Sequence, residues 1–269
     1  MAIAQVQIFS TSLQRDVPVT VILPTDALNG ENFVNKPDHK FKTLFLLHGF
    51  FGNHMDWLTY TNIRRYATDA NIAVVMPSGE NGFYVDLEIP NARYSRFIGE
   101  ELPELMRRMF PLSRRRADTF IGGLSMGGFG ALRIGLKYAD TFSAIVAMSS
   151  ALHLTEVSRE AEGFRMVANE DQLFGNWTKA MKSDKNPEVC LKQLEERVAG
   201  NVSQFPDVYM VCGLQDDLLS ANRSFKEKLE KAGVPVTYEE GEGGHEWDYW
   251  DKHIRYVLTE WLPLRKSRK

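Results

Sequence analysis

Cysteine is scarce in this chain, whose 269 residues include only Cys190 and Cys212. Neither cysteine has neighbours at the spacing of metal ligands, so the sequence predicts no metal site. Cys212 ends a strand-like apolar run, which is typical of a buried small hydrophobic residue. The sequence leaves a disulfide between the two cysteines open but gives no reason to expect one.

A marked excess of charge of either sign is also absent. The chain carries 32 Lys and Arg against 35 Asp and Glu, a formal net charge of -3. This balance gives no electrostatic reason to expect nucleic acid or an anionic membrane surface as a partner. Two basic clusters, at 114–116 and 265–269, are short, and we interpret them as a solvated loop and a solvated chain end.

Long apolar runs are missing as well. None approaches the roughly 20 residues that a membrane-spanning helix needs. Residues 1–9 alternate like a strand and lack the basic segment and apolar core of a signal peptide. We therefore expect a soluble, cytoplasmic protein without a membrane partner.

The chain does contain a regular alternation of strand-like and helix-like segments. Apolar or alternating segments predict strands at 5–10, 17–23, 42–47, 72–76, 119–121, 142–148, 208–212 and 236–240, and helical spacing predicts helices at 58–70, 94–110, 129–138, 222–232 and 247–262. In the helix at 94–110, Pro103 marks a kink or a later start. The order predicts an α/β fold with a mostly parallel central sheet, helices on both faces and an antiparallel hairpin at one edge. Sites in such sheets form at the carboxyl ends of the strands.

One segment, residues 151–205, interrupts this alternation. It contains no clear strand, is rich in charge, and separates two consecutive core strands. We interpret it as a small helical cap inserted over the carboxyl edge of the sheet. The length of the chain fits one large domain as well as two small ones. The cap favours a single domain spanning residues 1–269.

The most informative motif is Gly-Gly-Leu-Ser-Met-Gly-Gly at 122–128. It joins a short apolar strand to a helical segment, with Ser125 at the apex of the turn. Gly123 and Gly127 suit a turn in which neighbouring backbone comes too close for a β-carbon. The following helix points its N-terminus at Ser125, where negative charge would develop. The motif predicts that Ser125 is an acyl-transfer nucleophile; the alternative is a glycine-rich turn with an inert serine.

A serine nucleophile needs a base, and three histidines follow Ser125 in the chain. His245 lies in a glycine-rich loop between the last strand and the last helix, at the expected carboxyl edge. His253 falls within the last helix and is expected to be a surface residue, whereas His153 begins the cap. We therefore predict His245 as the base and keep His153 as the outside alternative.

The base in turn needs an orienting carboxylate. Asp216 and Asp217 both follow the strand that ends at Cys212, and either could reach His245. Asp216 lies at the turn, whereas Asp217 suits the N-terminal cap of the next helix. We therefore favour Asp216.

An oxyanion hole needs two backbone donors aimed at the developing negative charge. One is predicted to be the amide of Met126, directly after the nucleophile. The other is predicted to be the amide of Phe50, in a loop that Gly49 and Gly52 allow to fold tightly beside the serine. His48, at the start of this loop, is expected to pack under it in a structural role rather than act in catalysis.

Aromatic residues are frequent on these same loops and in the cap. They could line a pocket for the acyl or alcohol group, although core packing explains each of them equally well. The candidate substrate-binding residues are Phe51, Trp57, Phe129 and Trp177.

With these residues assembled, the chain resembles the esterase D-like branch of the α/β-hydrolases, and most closely the tributyrin esterase-like acyl esterases of bacteria. The resemblance runs nearly end to end. The segments that carry it are Leu-Leu-His-Gly at 46–49, Gly-Asn-His at 52–54 with Asp-Trp at 56–57, Val-Met-Pro-Ser at 75–78, the serine motif at 122–128, Cys-Gly at 212–213 before Asp216, Tyr-Glu-Glu-Gly at 238–241, and Gly-Gly-His-Glu-Trp-Asp at 243–248.

The resemblance implies a triad of Ser125, His245 and Asp216 that hydrolyses short-chain acyl esters without a metal or cofactor. The chain differs from S-formylglutathione hydrolases, because Leu124 stands where those enzymes typically carry histidine. Acyl transfer to an alcohol and hydrolysis of feruloyl or acetyl esters of carbohydrates are enzymatic alternatives. A non-catalytic binding module is the alternative from another class. The resemblance also leaves room for a homo-oligomer.

Overall fold

A computed structural model describes residues 1–28, 35–87, 89–152 and 173–263, together with the backbone of residues 29, 32 and 33. Within these residues the chain forms one large sheet and a separate two-stranded ribbon. The order in the large sheet is β1 (Ala2–Ser10), β2 (Arg15–Leu23), β6 (Ala73–Pro77), β5 (Thr43–Leu47), β7 (Thr119–Leu124), β8 (Ala144–Met148), β9 (Asp207–Gly213) and β10 (Val236–Gly241), and the ribbon pairs β3 (Leu28–Asn29) with β4 (Asn32–Phe33).

The first two strands form the antiparallel hairpin that the sequence predicts. Their register runs from Ala2 opposite Leu23 to Ser10 opposite Arg15, and β1 occupies the edge of the sheet. The pair of β2 and β6 is also antiparallel, whereas every pairing from β6 to β10 is parallel. The carboxyl ends of these parallel strands therefore share one edge.

Helices cover both faces of the sheet. They are α1 (Asp56–Tyr60), α2 (Ile63–Asp69), α3 (Tyr94–Arg96), α4 (Leu102–Met109), α5 (Met126–Lys137), α6 (Trp177–Ala180), α7 (Pro187–Val198), α8 (Leu219–Lys231) and α9 (Trp247–Tyr256). A π-helical turn at Phe97–Glu101 joins α3 to α4, and another at Val257–Trp261 follows α9.

The core consists of two apolar clusters, one on each face of the sheet. Strand β5 is buried throughout and contributes side chains to both clusters. Phe45 and Leu47 belong to one cluster, and Leu44 and Leu46 belong to the other. Successive side chains of a strand point to opposite faces, so a continuous apolar run is what a strand with two covered faces requires. This confirms the sequence-based assignment of a doubly covered sheet.

The single helix predicted at 58–70 is wrong, since the structure has two helices, α1 and α2. Thr61 between them has an extended backbone, and its hydroxyl donates a hydrogen bond to the carbonyl of Trp57. The same hydroxyl accepts a hydrogen bond from the amide of Ile63. A threonine that caps its own backbone in this way ends one helix and starts the next.

In the second predicted helix, 94–110, the π-helical turn relieves the conflict with Pro103. The amide of Leu102 donates to the carbonyl of Phe97, five residues earlier. Pro103 then lies in the first turn of α4, the helical position that proline tolerates best.

Of the predicted cap at 151–205, residues 153–172 lie outside the described residues, and with them His153. The described remainder contains α6, α7 and a 3₁₀ turn at Val202–Gln204, without a strand between residues 173 and 205. Helix α7 packs against α5. Within the described ranges, no helix has both the length and the apolarity to cross a membrane.

Candidate active site

Ser125 occupies a sharp turn between β7 and α5. Its backbone has φ 53° and ψ -118°, a conformation that a non-glycine residue adopts only where the surrounding structure enforces it. Its amide donates to the carbonyl of Met148 at 2.9 Å, and its carbonyl accepts from the amide of Ala151 at 3.1 Å. These bonds fasten the turn to the carboxyl end of β8 and leave the serine side chain partly exposed.

The two flanking glycines are required by contact. A β-carbon on Gly123 would lie 2.5 Å from the carbonyl carbon of Gly127. One on Gly127 would lie 2.6 Å from the carbonyl oxygens of both His48 and Leu47. Because backbone atoms cannot move aside, only glycine permits this approach of the strand, the turn and the helix.

The loops after β9 and β10 are held together directly beyond their parallel strands. The amide of Leu214 donates to the carbonyl of Gly241 at 2.9 Å, and the amide of Gln215 donates to the carbonyl of Gly243 at 3.0 Å. The Gln215 side chain returns the contact, since its Oε1 accepts from the amide of Gly243 at 2.8 Å. We call this set of bonds the β9–β10 loop ladder.

The β9–β10 loop ladder brings Asp216 and His245 together. Their Oδ2 and Nδ1 atoms lie 3.0 Å apart, and the carboxyl is 5% exposed. The other carboxylate oxygen accepts from the amide of Leu218 at 2.9 Å. Asp217 is exposed to solvent and has no such contact. Of the two carboxylates, Asp216 is therefore the one that meets the imidazole.

The Asp216 carboxyl is ionised at neutral pH. Burial alone would raise its pKa, but the hydrogen bonds from His245, from the Leu218 amide and from Ser149 outweigh burial and lower it. An ionised carboxylate facing Nδ1 holds the proton of a neutral imidazole on that nitrogen. The Nε2 atom is then left with the lone pair that a general base requires.

The His245 ring is linked through Trp250 and Ser149 to the end of β8, where the Ser125 turn is also bound. It packs edge-on against Trp250 at 4.9 Å, and the Trp250 indole N–H donates to the Ser149 hydroxyl at 3.1 Å. Ser149 directly follows Met148, to which Ser125 is bonded. Within the described residues no hydrogen bond joins Ser125 to His245, a contact that often forms only in a substrate complex.

The loop after β5 lies against the serine turn. A β-carbon on Gly49 would stand 3.6 Å from the Ser125 β-carbon. In the described part of the chain, neither the Phe50 amide nor the Met126 amide donates a hydrogen bond, although the neighbouring Phe51 amide donates to Asn81 Oδ1 at 2.8 Å. Both predicted oxyanion donors are thus backbone N–H groups without a protein acceptor.

The candidate pocket aromatics fall into two groups. Phe51 is 83% exposed, and Trp177 is partly exposed and contacts Phe174. Phe129 is fully buried, with its ring edge-on to Phe83 at 5.8 Å. Contacts of Phe83 with Phe50 and with Phe174 connect the loop after β5 to the described part of the predicted cap.

The prediction that Trp57 binds substrate is corrected. Its side chain is 1% exposed, its indole N–H donates to the carbonyl of Leu47 at 3.0 Å, and its ring packs edge-on against Trp247. A tryptophan whose polar atom and ring faces are all engaged inside the core supports α1 rather than a pocket.

Sequence analysis did not identify three residues whose contacts support Asp216, His245 and the end of β8. Gln215, Ser149 and Trp250 carry no pattern that separates them from ordinary loop and helix residues. His253, expected on the surface, is a further correction: it is 5% exposed and shares a hydrogen bond of 2.8 Å with the Tyr209 hydroxyl.

Known proteins match this chain over nearly its whole length. The family model described as "Putative esterase" matches residues 10–258. An acetyl esterase of Caldicellulosiruptor saccharolyticus is 39% identical over 275 residues, which cover 97% of this chain and 98% of that protein.

Two solved structures from Staphylococcus aureus are also similar. The substrate-bound fluorophosphonate-binding serine hydrolase F is 29% identical with a TM-score of 0.82, over 98% of this chain and 99% of that one. The apoenzyme of an S-formylglutathione hydrolase is 28% identical with a TM-score of 0.79, over 97% of this chain and 100% of that one.

Proposed function

We propose that this chain, which belongs to the esterase family and is a carboxylic ester hydrolase with an α/β fold, is a serine esterase. It removes short acyl groups, acetyl above all. Its triad is Ser125, His245 and Asp216. The observation that carries the proposal is the 3.0 Å contact between His245 and buried Asp216. It lies at the sheet edge where the strained Ser125 turn also lies.

The proposed reaction uses these groups in two half-reactions. Ser125 Oγ attacks the ester carbonyl carbon while His245 Nε2 accepts the hydroxyl proton. The amides of Phe50 and Met126 donate to the tetrahedral oxyanion, which collapses as His245 returns the proton to the leaving alcohol. Water, deprotonated by His245, then attacks the acyl-enzyme and releases the acid.

Two relatives support this chemistry and the acyl group. The acetyl esterase supports acetyl as the preferred group, and the fluorophosphonate-binding serine hydrolase supports a serine nucleophile. The motifs in which Ser125, Asp216 and His245 stand support a position near the tributyrin esterase-like group.

A second candidate substrate is a formyl thioester of glutathione. The similarity to the S-formylglutathione hydrolase favours it, and formyl is smaller than acetyl. Leu124, before the nucleophile, argues against it, because those enzymes typically carry histidine there. We rank it below an oxygen ester.

The first experiment compares Ser125→Ala with the matched control Ser220→Ala, which alters an exposed serine. We expect Ser125→Ala to lower kcat for p-nitrophenyl acetate by about 10⁶-fold, and Ser220→Ala to leave kcat within about twofold. Covalent labelling by a fluorophosphonate should disappear only in Ser125→Ala. Normal turnover by that variant would refute the triad.

A second experiment measures kcat/KM over p-nitrophenyl esters of two to eight acyl carbons, an acetylated sugar, a feruloyl ester and S-formylglutathione. We expect the highest value for the acetyl ester and a steep fall beyond four carbons. A maximum at longer chains, or at the thioester, would contradict the proposed acyl preference. An added acceptor alcohol tests acyl transfer, because a transferase would form more new ester than free acid.

A further inference from the structure

His48 directly follows β5, and its ring makes two hydrogen bonds inside the protein. The amide of Gly79, in the loop after β6, lies 2.8 Å from Nε2. A backbone N–H can only donate, so Nε2 carries a lone pair and the proton of the neutral ring is on Nδ1. Nδ1 lies 2.7 Å from the carbonyl oxygen of Gly49, to which it therefore donates.

The acceptor of this bond belongs to the proposed oxyanion hole. The Gly49 carbonyl and the Phe50 amide are two sides of one planar peptide group, so a bond that fixes the oxygen also fixes the direction of the N–H. The amide of Gly52 donates to the same oxygen at 3.2 Å. Donors on a carbonyl also polarise its amide, which makes the N–H a stronger donor.

We propose that His48 is a positioning residue that orients and polarises the Gly49–Phe50 peptide, so that the Phe50 N–H stabilises the oxyanion. The inference rests on the proposed serine esterase activity. It adds a relay of two peptide groups and one imidazole, which runs from the Gly79 amide through His48 to the Phe50 amide. His48 touches neither substrate nor Ser125 Oγ in this relay.

The surroundings of His48 keep its imidazole neutral, which is the state that the proposed relay requires. Burial lowers the pKa of the imidazole and outweighs the hydrogen bond to the Gly49 carbonyl and the carboxylates of Asp56 and Glu80, all of which raise it. The nearby His54 lowers the pKa of His48 further. The Tyr84 ring also packs edge-on against His48 at 5.8 Å, and its hydroxyl donates to the His48 carbonyl. A neutral ring is required because a proton on Nε2 would face the Gly79 N–H.

Two substitutions separate the halves of the relay. An asparagine amide can occupy the position of Nδ1, so His48→Asn keeps a donor for the Gly49 carbonyl and loses the acceptor for Gly79. A glutamine amide reaches the position of Nε2, so His48→Gln keeps the acceptor and loses the donor. A role in packing alone would make the two variants equal, or rank them by thermal stability.

We expect His48→Gln to lower kcat for p-nitrophenyl acetate by about 10- to 100-fold, less than the loss of a whole oxyanion donor. His48→Asn should stay within about fivefold of the wild type, and KM should change less than twofold in both. The control is His54→Gln, on the same loop, whose Nδ1 contacts Thr20 Oγ1 instead of the oxyanion peptide; it should remain within about twofold.

A trifluoromethyl ketone supplies an independent readout, because its adduct with serine carries the oxyanion. Its inhibition constant should rise in His48→Gln by the same factor as kcat/KM falls. Equal kcat values for folded His48→Asn and His48→Gln, or a normal inhibition constant for His48→Gln, would overturn the proposal. If His48→Gln does not fold, His48→Asn decides, and a loss above 100-fold in that folded variant overturns it.

The outcome is separable from that of the proposed function. An active Ser125→Ala variant would remove the serine mechanism altogether. An inactive Ser125→Ala variant together with a fully active His48→Gln variant would leave the mechanism intact and remove only the relay.

Discussion

At the scale of single residues, the pairing of Asp216 with His245 is the contact whose loss is simplest to predict. In Asp216→Asn an amide replaces the carboxylate and can hold the imidazole in the wrong tautomer. We expect kcat for p-nitrophenyl acetate to fall about 10³- to 10⁴-fold with KM little changed. The neighbouring Asp217→Asn is the control, and its exposed side chain predicts a change below about twofold. Similar losses in both variants would contradict the assignment.

Gly127 offers a residue-scale test of packing. In Gly127→Ala the new methyl group would press on two backbone oxygens at 2.6 Å, so we expect a loss of about 1–3 kcal/mol or more in the free energy of unfolding. Gly241→Ala is the matched control, because a β-carbon there meets nothing within 4 Å. Urea unfolding of both variants measures the difference, and a stability cost shared equally by both would count against the steric argument.

The sequence predicted the residue-scale partners only where chemistry restricts the choice. Ser125 and His245 became the candidates because few residues in glycine-rich loops suit a nucleophile and a base. The pattern favoured Asp216 over Asp217 only through its place at the turn, whereas its burial and its contact with His245 are visible in the structure alone. The roles of Gln215 and Trp250 depend on contacts between distant loops, which a single sequence does not reveal.

At the scale of elements, one buried arginine joins three of them. Arg133, on α5, is fully buried, and its guanidinium donates to the carbonyls of Asp184 and Tyr84, each at 2.8 Å. It thereby connects α5 to the chain between α6 and α7 and to the loop after β6. Its charge is opposed by the Asp184 carboxylate at 3.9 Å.

Arg133→Met should therefore loosen this junction. We expect a loss of about 1–3 kcal/mol in unfolding free energy, since the buried Tyr84 carbonyl loses its donor. Asp184 is affected less, because Lys137 and Cys190 still donate to it. Hydrogen exchange of residues 173–198 should accelerate more than that of β5 and β7. Arg255→Met, at an exposed position of α9, is the control. Unchanged exchange in residues 173–198 would show that Arg133 does not hold this segment.

Element boundaries were less predictable than element order. The strands followed from continuous apolar runs, as in β5, because burial on two faces leaves a strong pattern. The break at Thr61 and the π-helical turn before Pro103 could not be predicted in this way. Each depends on local hydrogen bonds, and the apolar spacing around each is that of a continuous helix. The prediction of a cap over the site stays a prediction.

At the scale of the whole molecule, buried imidazoles lower the free energy of unfolding as the pH falls below neutral. Burial lowers the pKa of His253 to about 4, even though the Glu239 carboxylate lies 3.8 Å from its ring. The unfolded chain binds this proton near pH 6.5 and the folded protein only near pH 4, so stability falls as pH drops between these values. The lowered pKa of Asp216 affects stability only at pH values below the ordinary pKa of an aspartate, where protonation would remove the stability that its ionised carboxylate contributes.

We expect the free energy of unfolding to fall by about 2–3 kcal/mol through His253 between pH 7 and pH 4.5. His253→Gln should remove that part of the slope, leaving the parts that His48 and His54 contribute in the same direction. Urea titrations at pH 7, 5.5 and 4.5 measure it. An identical slope in His253→Gln would contradict the buried neutral state of this histidine.

The β9–β10 loop ladder has a consequence for how this enzyme can diversify. Two of its three bonds join backbone to backbone, so they survive almost any exchange of side chains on either loop. Mutational drift can then reshape the surrounding rim towards new leaving groups while Asp216 and His245 stay in contact. Libraries that randomise Leu214 and Glu242, both exposed, should therefore yield altered selectivity at high retained turnover.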